Sequence, residues 1–190
     1  MKVGILALQG CVEPHRAAFE RLGLEAMLVR SCADLDRVER LVLPGGESTT
    51  MLHLLRISGM FDPLAIFCQH RPVLGVCAGA ILLASEVVGP SQPSLGAIPL
   101  RAHRNFYGSQ RESFEASITV SHDQAPHHVS FIRAPLLEAI NGEVTPVSFF
   151  DKQPVLFRYR NVLAASFHSE LGNDLFLHEM FLAIPVGRGV

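Results

Sequence analysis

Three groups of residues in this sequence have types and spacing suited to covalent chemistry. Cys77 stands in "LGVCAGAILLASE" (74–86), where an apolar run ends and small residues open a helix-like segment. Gly75 and Gly79 flank it two residues to each side, giving G-x-C-x-G. Glycines at those points allow the tight turn and close packing that lift a nucleophile out of a fold. A sulfur at a helix start faces unpaired N–H groups, and the positive helix end favours thiolate over thiol. The plainer alternative is a small core hydrophobe, a common fate for a free cysteine.

A nucleophilic cysteine needs a base and a group that orients the base. "ASFHSELG" (165–172) offers both, as an apolar strand ends there in His168 and Glu170. Residues two apart on a strand point the same way, so the carboxylate can reach the ring. A carboxylate on one ring nitrogen fixes the tautomer and leaves the other nitrogen for the sulfur. With nine histidines in the chain, a solvated H-x-E pair at a strand end is the competing reading. The third group is "VLPGGESTT" (42–50), a strand end turning through Gly45 and Gly46 into a helix. Backbone N–H groups in such a turn can stabilise an oxyanion, although an ordinary turn with Ser48 near an N-cap has the same appearance.

These groups need a frame that brings three strand ends together. Apolar runs at 2–8, 25–30, 40–46 and 71–77 read as strands. Segments 12–23, 48–59 and 78–86 read as helices between them. Near-continuous apolar strands alternating with helices imply a parallel sheet covered on both faces. In such sheets, sites form beyond the carboxyl ends of the strands, which is where all three groups fall. From Gly89 to Gly108, prolines and glycines suggest loops and an antiparallel excursion. Short strands follow in "FEASITV", "HHVSFIRA", "TPVSFF", "PVLFRYR" and "NVLAASF", then a final helix at 174–184. There is no repeat, low-complexity tract or linker, so one α/β domain over 1–190 is expected.

Composition bounds the function. With 48% hydrophobic and 18% charged residues, the 190-residue chain can bury a sizeable core. A formal net charge of -2 without a basic run gives no electrostatic reason to expect nucleic acid or an anionic membrane as a partner. The opening "MKVGILALQG" is too short in its apolar part for a membrane span or signal peptide, which points to a cytoplasmic protein. Cys11, Cys32, Cys68 and Cys77 lack CxxC spacing, against a zinc site or a disulfide framework.

Together, "GILALQG", "LPGGESTTM", "GVCAGAILLA", "RNFYGSQRESFEA", "FIRAP" and "SFHSEL" resemble the class I (triad) glutamine amidotransferases. "PGGESTT" and the "RN…G…Q…SFEA" pattern are similar to one subgroup, the glutaminase subunits of pyridoxal 5'-phosphate synthases. The resemblance implies a flavodoxin-like three-layer αβα sandwich, its central sheet mostly parallel. It implies hydrolysis of L-glutamine to glutamate and ammonia, with no metal or organic cofactor on this subunit. Carried over by motif, Cys77 is the nucleophile, His168 the general base and acid, and Glu170 its orienting partner. Backbone N–H groups of Gly46 and Ala78 form the oxyanion hole. Gly46, Glu47, Ser48, Arg104, Ile132 and Arg133 hold glutamine. The implied partner is a synthase subunit, a (β/α)8 barrel, which receives the ammonia for vitamin B6 biosynthesis, with "LQGCVEPHRAAF" in the docking face.

The sequence departs from the family pattern in a few places. Ser169 stands where proline is usual between the histidine and the glutamate, and Val76 replaces a threonine. Pro14 takes the place of an acidic or polar residue, and "RNFYGSQ" varies "RNSFGRQ". None of these removes a catalytic group. The alternatives are the glutaminase of another amidotransferase, such as imidazole glycerol phosphate synthase; a non-catalytic binding module of the same fold; and a cysteine hydrolase acting on peptides or small electrophiles. "PGGESTT" and "SFEA" oppose the first, and the intact Cys77, His168 and Glu170 oppose the second. The third has no use for Arg104 and Arg133.

Overall fold

Apolar residues on both faces of the strands set the architecture. In the computed structural model, which describes residues 1–104, 106, 113–121 and 123–187, β1 (Val3–Leu6), β3 (Arg40–Leu43), β4 (Val73–Val76) and β12 (Val162–Ala165) are buried along their whole length. Successive side chains alternate between two cores: Leu41 and Leu43 enter one and Val42 the other, while Val73 and Leu74 divide in the same way. A strand buried on both faces has to lie inside a layered sheet.

The main sheet has nine strands in the order β2-β1-β3-β4-β12-β11-β10-β7-β8. From β2 (Ala26–Val29) to β12 every neighbouring pair is parallel. The antiparallel excursion then follows through β11 (Gln153–Tyr159), β10 (Thr145–Phe150), β7 (Phe114–Val120) and β8 (Asp123–Phe131). On one face lie α1 (Val12–Arg21) and α6 (Phe176–Leu182), whose Phe19, Phe176, Leu177 and Phe181 share a core with Val42, Leu74 and Leu163. On the other lie α3 (Ser48–Ile57) and α5 (Ala78–Leu83), whose Met51, Leu55 and Leu82 pack with Leu41 and Leu43. This is the expected three-layer arrangement.

Four local readings change. The helix expected over 78–86 stops at Leu83, and Ala84–Val88 forms β5 instead. Val87 and Val88 favour a strand locally, and β5 finds a parallel partner in β6 (Ile98–His103). The segment read as loops after Gly89 therefore contains a strand. With β9 (Leu136–Ala139), these make a separate three-stranded sheet in the order β5-β6-β9. Two further helices, α2 (Cys32–Leu35) and α4 (Phe61–His70), lie outside the helices expected from the sequence. The first is a single turn capped by Ser31, whose side chain accepts from the Asp34 N–H. In α4, Leu64 and Cys68 are buried while Ile66 is exposed, so apolar residues surround the helix and blur its period.

Candidate active site

Sheet order brings the three sequence groups together. Strands β3, β4 and β12 are adjacent in the sheet and parallel, so the segments leaving their carboxyl ends converge. From β3 comes the Pro44–Ser48 turn, from β4 Cys77, and from β12 the run to His168 and Glu170. Cys77 sits between β4 and α5 with φ 49° and ψ -102°, a conformation uncommon for a residue with a Cβ. Its backbone N–H donates to the Ala165 carbonyl (2.8 Å), and its own carbonyl accepts from Ile81 (3.0 Å). These bonds lock the strained residue from both sides, so its side chain is aimed by the backbone. The sulfur lies 3.8 Å from the Ile132 carbonyl.

Close packing at this corner depends on absent side chains. A Cβ at Gly79 would lie 2.0 Å from the Leu43 carbonyl oxygen, and one at Gly45 would lie 2.3 Å from His168 Cε1. The first glycine lets α5 press on the end of β3. The second lets the imidazole stack on the backbone of the Pro44–Ser48 turn.

His168 and Glu170 lie three and five residues past the end of β12, the first in an isolated bridge to β8 and the second in a turn. Simple strand alternation therefore does not pair them. Backbone bonds to β8 hold the histidine instead, with His168 N donating to Ser130 O (2.8 Å) and Ser130 N to His168 O (2.9 Å). The contact expected from H-x-E is nevertheless made: His168 Nδ1 is 2.6 Å from Glu170 Oε1. Burial disfavours a charged imidazole, but its hydrogen bonds to Cys77 and Glu170 outweigh burial and push His168 up to about 10. Glu170 is held below the usual carboxylate range: burial opposes its charge, but His15 and the hydrogen bond from His168 more than compensate. The arrangement is a cysteine beside an imidazole that favours its charged form, backed by a carboxylate, the set of groups a cysteine nucleophile requires.

A small cavity opens above Cys77. Gly46, Glu47, Ser48, Ala78, Arg104, Ile132 and Arg133 all line it, together with Cys77 and His168. Every residue expected at the site is thus brought together except Glu170, which stands behind His168. Glu47 caps α3, accepting from the Thr49 N–H, and its carboxylate is 3.2 Å from Arg104 Nη2. Arg133 takes φ 46°, turning the chain after β8 so that Ile132 and Arg133 face the cavity. Asn105, Gly108 and Gln110 of "RNFYGSQ" lie outside the described residues.

The sequence reading missed several neighbours. Cys11 and Ile81 also line the cavity. Gln9 Oε1 accepts from the Glu47 N–H at 3.0 Å, tying the β1–α1 turn to the Pro44–Ser48 turn. The quoted "LQG" motif could have signalled this, since a glutamine beside a glycine turn at a strand end suits a polar site. Ser169, at the position usually held by proline, is fully buried and its hydroxyl has no hydrogen-bond partner among the described residues. Ser169→Ala is expected to raise stability by about 1 kcal/mol, because it removes an unpaired buried hydroxyl. An unchanged or lower Tm would show that the hydroxyl is bonded in solution.

With this geometry in hand, comparison with known proteins identifies the lineage. The model of the SNO glutamine amidotransferase family matches residues 5–186. The chain belongs to that family. Among curated relatives of this SNO-family chain, a "Pyridoxal 5'-phosphate synthase subunit PdxT" from Solibacter usitatus (strain Ellin6076) is 43% identical over 188 residues, covering 96% of this chain and 98% of its own. Another of the same name, from Koribacter versatilis (strain Ellin345), is 44% identical and covers 96% of this chain and 94% of its own. A solved structure described as a glutamine amidotransferase superposes with a TM-score of 0.90 at 42% identity, covering 97% of this chain and 98% of that one.

Proposed function

We propose that this chain is the glutaminase subunit of a pyridoxal 5'-phosphate synthase, folded as one glutaminase domain over 1–190 and working in the cytoplasm. Cys77, His168 and Glu170 form its triad. The observation that carries the reading is the buried His168–Glu170 pair at 2.6 Å, placed with Cys77 at adjacent parallel strand ends. The relatives named for the same synthase subunit support the assignment of pathway.

The chemistry follows from the ionisation of the site. The Cys77 thiolate attacks the side-chain amide carbon of L-glutamine, and the C=O π electrons move onto oxygen. Backbone N–H groups of Gly46 and Ala78 stabilise that oxyanion. His168, protonated and held in one tautomer by Glu170, gives its proton to the departing nitrogen, so ammonia leaves and a thioester remains. The neutral imidazole then takes a proton from water, whose oxygen attacks the thioester. Collapse of that second adduct releases glutamate and returns the sulfur to the thiolate. Glu47, Ser48, Arg104, Ile132 and Arg133 hold the amino acid, with Arg104 and Arg133 suited to its α-carboxylate.

Ammonia must reach its acceptor before it is protonated in bulk water. A (β/α)8-barrel synthase subunit docked over the cavity meets that need, with "LQGCVEPHRAAF" forming part of the contact. The test is ammonia release from L-glutamine, by the chain alone and with a synthase subunit from a close relative. Release that rises with the partner supports the reading. A folded chain that releases none under either condition overturns it.

A further inference from the structure

Two histidines that no part of the proposed mechanism uses lie behind the triad. His15 on α1 and His178 on α6 are both fully buried, and His15 Nδ1 is 2.9 Å from His178 Nε2. On its other side, His15 Nε2 is 3.7 Å from Glu170 Oε1, the same oxygen that His168 engages. The row therefore runs from Cys77 through His168 and Glu170 to His15 and His178, linking the two helices on one face of the sheet to the nucleophile on its edge. The His178 ring packs edge-on against Phe19, a space that an apolar side chain could fill. Two imidazoles there incur desolvation that packing alone does not require.

The direction of the hydrogen bond follows from the neighbours. If His178 Nε2–H donates to His15 Nδ1, then His15 carries its proton on Nε2, aimed at the Glu170 carboxylate. The reverse arrangement would face a lone pair toward a carboxylate oxygen, which is repulsive, whereas the favoured one turns the His15 Nε2–H toward it at 3.7 Å, an electrostatic contact longer than a hydrogen bond. His178 Nδ1 has no hydrogen-bond partner among the described residues in either arrangement. The titratable groups facing the pair are Glu170 and His168, from the segment between β12 and α6, and Arg21 from α1. Burial lowers the titration of both histidines, and that of His178 falls to about 3, so both stay neutral at physiological pH.

Resting on the triad assignment above, we propose that His15 and His178 are positioning residues, a hydrogen-bonded imidazole pair that presents the His15 Nε2–H to Glu170 and keeps its carboxylate turned toward His168. Without the pair, Glu170 has one fewer attraction holding it in place; its second oxygen, Oε2, is buried with no hydrogen-bond partner among the described residues. The carboxylate is then free to turn from His168, and the imidazolium that sustains the Cys77 thiolate loses its support.

The test compares His15→Phe, which keeps a ring but no donor, with His15→Gln, whose amide N–H can occupy the Nε2 position. The first readout is the pH profile of Cys77 alkylation by iodoacetamide in the full chain, which needs neither glutamine nor partner. His15→Phe is expected to move the profile to higher pH and slow alkylation at neutral pH by about tenfold, as loss of a ring-orienting partner commonly does. His15→Gln is expected to restore most of the rate. With a synthase subunit present, kcat should follow the same order while KM stays within about twofold, because no substrate contact changes. A wild-type profile in folded His15→Phe overturns the proposal, as does a His15→Gln variant as impaired as His15→Phe.

Nitrogen-15 NMR of the histidine rings in the unmodified protein is a check that survives poor folding of the variants. His15 is expected as the neutral Nε2–H tautomer, and a neutral Nδ1–H tautomer overturns the proposal. Absence of ammonia release by the unmodified protein with its partner would count against the glutaminase reading alone. Alkylation and NMR would still decide the role of the pair.

Discussion

Cys77→Ala leaves a folded protein in which ammonia release from L-glutamine falls by about ten-thousand-fold or more, to the background of the assay. The fold survives because the bonds that fix position 77 are made by its backbone, to Ala165 and from Ile81, and alanine keeps both. What disappears is the bond-forming atom. His168 and Glu170 remain 2.6 Å apart, but they have no sulfur to activate. The measurement is steady-state ammonia production with a synthase subunit present, alongside circular dichroism of the variant. Substantial residual turnover would remove Cys77 from the mechanism and return it to the core, where it is already largely buried.

Gly79→Ala acts through packing, and it is expected to be strongly destabilising. The new Cβ would meet the Leu43 carbonyl oxygen at 2.0 Å and the Leu43 carbonyl carbon at 2.7 Å. Those atoms belong to the backbone of β3, so no rotamer change relieves the clash, and either α5 or the end of β3 has to move. Overpacking of this kind costs about 3 kcal/mol or more where the neighbour cannot yield. Displacing the end of β3 also shifts Gly45 and Gly46, which pack against His168 and line the cavity. Thermal unfolding should report the lost stability, and glutamine turnover should fall more steeply than the unfolded fraction explains. A Tm within a degree or two of wild type would mean that the two segments separate easily and that this corner is looser than its geometry implies.

Both predictions concern residues visible in one short stretch of sequence. G-x-C-x-G is legible because both glycines stand two residues from the cysteine, a spacing read directly from the chain, although the space they leave is filled by α5 at Gly75 and by the remote Leu43 of β3 at Gly79. The parallel half of the sheet was legible for a similar reason. Strands such as Val73–Val76 are apolar at every position, and the helices between them carry a regular period. His168 and Glu170 were found by spacing and pair as expected, although the strand alternation that suggested the pairing is absent. Their orientation comes from bonds to β8, a strand remote in the chain.

Other features depended on partners that no local pattern announces. Ala84–Val88 continues a helical-looking run, yet it becomes a strand because Ile98–His103 is there to bind its edge. α4 has apolar residues on most sides, so its buried face is chosen by its neighbours and not by its period. The arrangement around Glu170 is the fullest case. His15 stands in a helix that reads as merely amphipathic, and His178 in a terminal helix that reads as packing. Only the tertiary structure sets the two rings 2.9 Å apart and turns one toward the triad carboxylate. By itself the sequence determined the reactive groups and the sheet that carries them, because covalent chemistry and apolar periodicity are written in neighbouring residues. The tertiary structure decided what stands behind those groups, because the partners of a buried charge are chosen by packing between elements far apart in the chain.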